Sequence, residues 1–103
     1  IITFKCDVSN EDDVKKAMYG TVEEWGTIHA ALAVAGVMWP ILTHSSKGLL
    51  DVGKFKKEMD INFYGSLYVA KYGSAIMSKN KPVNDRGEKG VILFVSSVAA
   101  EEG

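Results

Sequence analysis

Three short runs of almost uninterrupted apolar residues constrain this 103-residue chain most: Ile1-Ile2-Thr3-Phe4-Lys5-Cys6, Ile28 to Ala35, and Gly90-Val91-Ile92-Leu93-Phe94-Val95. Each has the length of a strand, and each stops at small or polar residues, namely Asp7, Gly36 and Ser96-Ser97. Such runs suit strands buried on both faces of a parallel sheet. Between the first two, Val14, Ala17, Met18, Thr21, Val22 and Trp25 recur at three- and four-residue spacing, which makes one apolar helix face. Ser9 or Asn10 can cap that helix, Glu11, Asp12 and Asp13 suit the positive end of its dipole, and Gly26 suits its end. A second helical pattern, carried by Phe55, Met59, Phe63, Leu67, Val69, Ala70, Ile76 and Met77, runs from about Val52 to Lys79. Asn80, Pro82, Asn84, Asp85 and Gly87 end it. From Val37 to about Gly53 periodicity is lost among Pro40, His44, Ser45, Ser46 and Gly48, which predicts a loop with room for a helical turn. Loops of that length are often functional.

Strand, helix, strand, long helix, strand is the order of βαβ crossovers and predicts an α/β fold with a parallel sheet. Ligands of such sheets bind outside the carboxyl ends of the strands, so Asp7-Val8, Ala35-Gly36 and Ser96-Ser97 are expected on one rim. Composition narrows the partners. Lys and Arg total 12 against 13 Asp and Glu, a net charge of −1, which gives no electrostatic footprint for nucleic acid. Hydrophobic residues are 47% and charged ones 24%, which suits an ordered domain and, at this length, one domain at most. The single Cys6 excludes an internal disulfide and a cysteine-based zinc site, and His29 and His44 make no metal spacing. No run approaches the roughly 18 apolar residues that span a bilayer, so no membrane partner is expected. The chain starts at Ile1 without a methionine and ends soon after a strand-like run, which reads as a fragment of a longer chain.

The rim residues carry the reading further. Asp7-Val8, Ala33-Val34-Ala35-Gly36, Asp60-Ile61-Asn62-Phe63-Tyr64-Gly65 and Val95-Ser96-Ser97 stand in the order, and on the elements, of four motifs of the short-chain dehydrogenase/reductase family, which the whole chain resembles. The stretches Arg86 to Ile92 and Ser97 to Gly103 resemble the subgroup acting on 3-hydroxyacyl-CoA and hydroxysteroids. The resemblance implies a Rossmann-like, doubly wound parallel sheet, of which residues 1–103 form the central β-α-β-α-β portion. It implies hydride transfer between a nicotinamide cofactor, NAD rather than NADP by subgroup, and a secondary alcohol or ketone. Under it, Asp7, Val8, Val34, Ala35, Gly36 and Val95 contact the cofactor, Ser97 steadies the substrate oxygen, and the Asn62 carbonyl holds a water in a proton relay. It also implies a homotetramer with an interface around Tyr64, Tyr68 and Tyr72, and a mitochondrial or cytoplasmic location.

Two elements of the family pattern are missing from residues 1–103. The glycine-rich pyrophosphate turn would precede Ile1, and the Tyr-x-x-x-Lys pair would follow Gly103; Tyr68 and Lys71 are only three apart and on the wrong helix. The chain alone is therefore expected to bind dinucleotide weakly or not at all and to turn nothing over. Ala33 stands where the family has asparagine, which removes hydrogen bonds between strands. That departure keeps open a second reading, a non-catalytic Rossmann-like binding or assembly subunit. Read without the family, Asp7 is a turn residue, Ser97 a structural serine, Asn62 a backbone-bonding or solvent-facing residue, and Cys6 a small core residue.

Overall fold

The computed structural model describes residues 1–40 and 42–102; Ile41, and Gly103 of the subgroup stretch, lie outside the described residues. Helix α1 (Glu11–Trp25) begins at Asn10, whose side chain accepts the Asp13 N–H at 3.2 Å, so Asn10 and not Ser9 is the cap. It ends at Gly26, where φ of 86° suits glycine and the N–H returns to the Val22 carbonyl at 2.7 Å.

Strands β1 (Ala30–Ala33) and β4 (Val91–Phe94) pair in parallel, in register from Ala30–Val91 to Ala33–Phe94. Between them lie strands β2 (His44–Ser45) and β3 (Gly48–Leu49), helix α2 (Val52–Met59), a π-helical turn (Asp60–Tyr64) and helix α3 (Gly65–Met77). A short helix α4 (Ala99–Glu102) follows β4. The expected long helix is thus three consecutive helical segments. The expected loop contains an antiparallel hairpin in place of a helical turn, because Gly48 reaches φ 117° and lets the chain reverse.

Two further expectations are corrected. Ile1–Cys6 joins no sheet; the parallel sheet of the described residues has two strands, and Phe4 leaves the strand direction to lay its ring over Gly20 of α1. The strands are also buried on one face only. Ala31 and Ala33 point into the core, while Leu32 and Leu93 are 59% and 51% exposed, since no described element packs against that second face. The central core cluster is Ile28, Ala31, Ile76 and Met77, with Met18, Val22, Val69 and Ile92 against it, and Val14 and Ala33 are buried as well.

Helices α1 and α3 are tied at their edge by Glu11, whose Oε1 accepts from Lys71 Nζ and, at 2.9 Å, from the Tyr72 hydroxyl. Tyr72 also meets Tyr19 edge to face at 6.2 Å between ring centres, so it packs onto its own α1, whereas Tyr64 and Tyr68 neighbour each other. The hydrogen bond from Lys71 holds the Glu11 carboxyl below the usual carboxylate range, and the same bond holds Lys71 above the usual lysine range. A lowered carboxylate stabilises above its unfolded value and loses that contribution as pH falls through its folded value; a raised lysine loses its contribution as pH rises through its folded value. Glu11→Gln is therefore expected to lower the thermal midpoint slightly at neutral pH and not at all in strong acid. Thermal melts of both proteins across that range check it.

Candidate active site at the carboxyl end of the parallel strands

Because β1 and β4 run in parallel, the segments leaving them depart at the same end, and the helical rod carrying Asn62 and Ser66 passes beside them. The result is an open cleft of about 500 Å³ lined by Val34, Ala35, Gly36, Val37, Met38, Asn62, Ser66, Val95, Ser96 and Ser97. Six of the eight sequence-predicted site residues meet here: Asn62, Ser97, Val34, Ala35, Gly36 and Val95.

Asp7 and Val8 do not line this cleft. Val8 lines a small neighbouring cavity of about 70 Å³ that shares Val34, Ala35 and Ser66 with it. A Cβ on Gly65 would sit 2.9 Å from Val8 Cγ2 and 3.2 Å from the Val8 carbonyl oxygen, so only glycine admits this approach. Asp7 is exposed and closes the turn before α1: its Oδ1 accepts from Ser9 Oγ at 2.7 Å and from Ser9 N–H at 2.9 Å. Those bonds, the side-chain one first, hold its carboxyl below the usual range. Cys6 is no activated nucleophile, since burial and the carboxylates of Asp13 and Asp7 push its thiol up.

Asn62 is the organising residue. Its Oδ1 accepts the Val37 N–H at 2.8 Å and its Nδ2 donates to the Val37 carbonyl at 2.7 Å, so one amide fixes the chain leaving β1. It sits within the π turn, where the Gly65 N–H reaches back five residues to the Asp60 carbonyl. Such turns recur at functional sites. The Asn62 carbonyl accepts from Ser66 Oγ at 2.9 Å. Across the cleft, Ser97 Oγ accepts the Ala99 N–H at 3.2 Å; as an acceptor there, the hydroxyl keeps its proton to donate elsewhere.

Ser66 and Val37 are site residues that the sequence reading did not single out. Ser66 could have been found as the residue one helical turn after Asn62, but the Asn62–Val37 clasp spans 25 residues and leaves no local signal. Among the described residues no group of His, Cys, Asp and Glu could hold a metal, and no helix is long and apolar enough to cross a membrane.

A family model described as enoyl-(acyl carrier protein) reductase matches residues 1–103. The rat "3-hydroxyacyl-CoA dehydrogenase type-2" is 30% identical over 99 residues, covering 94% of this chain and 38% of that protein. "(+)-Borneol dehydrogenase 2" of Salvia officinalis is 35% identical over 98 residues, covering 95% of this chain and 31% of that protein. A short-chain type dehydrogenase/reductase from Mycobacterium marinum superposes with a TM-score of 0.80 at 22% identity, covering 97% of this chain and 35% of its own. The chain therefore spans less than two fifths of the length of these relatives.

Proposed function

The chain belongs to the short-chain dehydrogenase/reductase family of oxidoreductases, and on that premise we propose that it serves hydride transfer between NAD and a secondary alcohol or ketone, 3-hydroxyacyl-CoA or a hydroxysteroid, in a homotetramer. The observation that carries the proposal is the single cleft into which the parallel strand ends bring the Val34–Gly36 backbone, Asn62 and Ser97. The cleft suits a nucleotide portion of the cofactor. Its lining includes the small residues Ala35, Gly36, Ser66, Ser96 and Ser97. Val34, Ala35, Gly36 and Val95 would hold the dinucleotide from the main cleft and Val8 from its neighbour. Asp7, exposed at the turn before α1, would reach it from the outer edge.

A bound nicotinamide supplies the hydride acceptor or donor. The chain's own residues position and polarise: Ser97 donates its hydroxyl proton to the substrate oxygen as charge develops there. The Asn62 carbonyl would hold a water from which a proton passes outward. The base is not among these residues, for none of Tyr19, Tyr64, Tyr68 and Tyr72 is followed by lysine four positions on. Residues 1–103 alone are accordingly expected to show no alcohol oxidation, and measurable turnover by them would contradict this assignment.

Titration with NADH, followed by nicotinamide fluorescence, tests the reading. Weak, saturable enhancement is expected, with Asn62→Ala weakening it about tenfold because both bonds to Val37 are lost. No enhancement in a longer chain that also carries the glycine-rich turn and the Tyr-x-x-x-Lys pair would overturn it in favour of a non-catalytic binding or assembly subunit. That second reading has one specific support: Ala33 is buried with a methyl group where an amide would link neighbouring strands.

A further inference from the structure

A cleft of about 630 Å³ lies between helix α1 and the segment that precedes it, and it shares no lining residue with the cleft around Ser97. Two aromatic rings line it. Phe4 lies over Gly20, Tyr19 stands next to Gly20 on the helix, and both rings remain 40% exposed. Only glycine admits this arrangement, since a Cβ at Gly20 would come to 2.7 Å from Phe4 Cε1 and Cζ. A glycine inside a helix weakens it, and here the loss makes room for the Phe4 ring. Tyr19 is held by Tyr72, which meets it edge to face and whose hydroxyl donates to Glu11.

Charge is laid out along the same face of α1. Lys15 and Lys16 line the cleft one turn before Tyr19 and Gly20, and Glu23 lines it one turn after them. Asp12 lines it as well, but it stands four residues before Lys16, the spacing at which a carboxylate offsets a lysine. Glu11, the carboxylate at the same spacing before Lys15, is taken up by Lys71 and Tyr72. The ion pairs among the described residues are Lys71–Glu11 and Arg86–Glu88, and neither includes Lys15 or Lys16. The lysine end of the cleft is therefore net positive, and Glu23 makes the other end negative, about 11 Å away along the helix.

We propose that this cleft is a binding site for a planar aromatic monoanion, its ring against Phe4 and Tyr19 and its acid group at Lys15 and Lys16. The rings supply apolar and edge-to-face contact, and the lysines supply charge-assisted hydrogen bonds. Glu23 disfavours a second acid group at the far end of the ligand. The volume lies within the range of small-molecule sites. Nothing in this assignment rests on the dehydrogenase reading.

Titration with 2-naphthoate, followed by backbone amide shifts, tests it. Saturable shifts are expected at Lys16, Tyr19 and Gly20, with Gly36 and Ser97 unmoved. The 2-naphthylmethylammonium ion keeps the ring and reverses the charge, and a naphthalene dicarboxylate adds a second acid; each is expected to bind about tenfold more weakly. Gly20→Ala, checked by circular dichroism for unchanged helix content, displaces the Phe4 ring and is expected to weaken 2-naphthoate about tenfold. Replacing Lys15 and Lys16 together by glutamine is expected to abolish the preference for acid over ammonium, a readout that does not depend on Gly20→Ala folding. Non-saturating shifts, shifts centred on Gly36 and Ser97, or equal binding of acid and ammonium by the unmutated chain overturn the inference.

Discussion

Asn80→Ala is expected to lower the thermal midpoint by roughly 10–20 °C, from about 2–3 kcal/mol at about 4–8 °C per kcal/mol for a domain of this size. The half-buried Asn80 amide joins three segments. Its Nδ2 donates to the Ile28 carbonyl at 2.9 Å and to the Lys89 carbonyl at 3.0 Å, while its Oδ1 accepts from Thr27 Oγ1. The first two bonds bind the chain just before β1 to the chain just before β4, so this residue starts the parallel ladder at its amino end. Removing it leaves two carbonyls and a hydroxyl short of partners, which costs more than the bonds alone. Asn80→Asp sharpens the test. It keeps an acceptor for Thr27 but directs carboxylate oxygen at both carbonyls, and it should destabilise at least as much as alanine. Melts within a few degrees of the parent for both variants would show that the amide does not hold the strands in register.

The second large effect is at Gly90, one residue before β4. A Cβ there would sit 2.5 Å from Met77 Sδ, 2.8 Å from Met77 Cγ and 2.9 Å from the His29 carbonyl oxygen. Methionine can yield, but the His29 oxygen cannot, because it accepts the Val91 N–H at 2.9 Å in the first rung of the ladder. Gly90→Ala is expected to cost about 1–3 kcal/mol, as overpacking does. Shortening Met77 to alanine in the same chain should not restore the loss, since the backbone clash remains. Denaturant melts of the single and double variants decide it, and full rescue by Met77→Ala would assign the strain to the side chain instead.

What the sequence disclosed, and what it hid, follows from how local each cause is. Helix α1 was legible end to end because its determinants lie within it: Asn10, the acidic first turn, the apolar stripe and Gly26. The positions of β1 and β4 were legible as apolar runs. Their one-sided burial was not, because the apolar character of Leu32 and Leu93 does not say what packs on them. The hairpin escaped notice because strands of two residues show no alternation. The π turn escaped because a single wide turn barely disturbs a helical period, while what accompanies it, the Asn62 grip on Val37, joins residues far apart in the chain.

The cleft was legible for a different reason. Strands that run in parallel must end together, so Gly36 and Ser97 could be assigned to one rim from order alone. Asp7 was assigned by the same logic through a strand that does not form among the described residues, and it lies instead in the Ser9 turn. The Asn80 bridge has no local signature, since nothing in its neighbours tells that its amide turns toward Ile28.

The measurement that tests the central claim most directly is the map of backbone amide shifts in ¹H–¹⁵N spectra as NADH is added, because it locates even weak binding. The account predicts graded, saturable shifts at Ala35, Gly36, Val37, Val95, Ser96 and Ser97, with the hairpin at His44–Leu49 unmoved. Saturable shifts confined to the hairpin or to the outer face of α1 would contradict it.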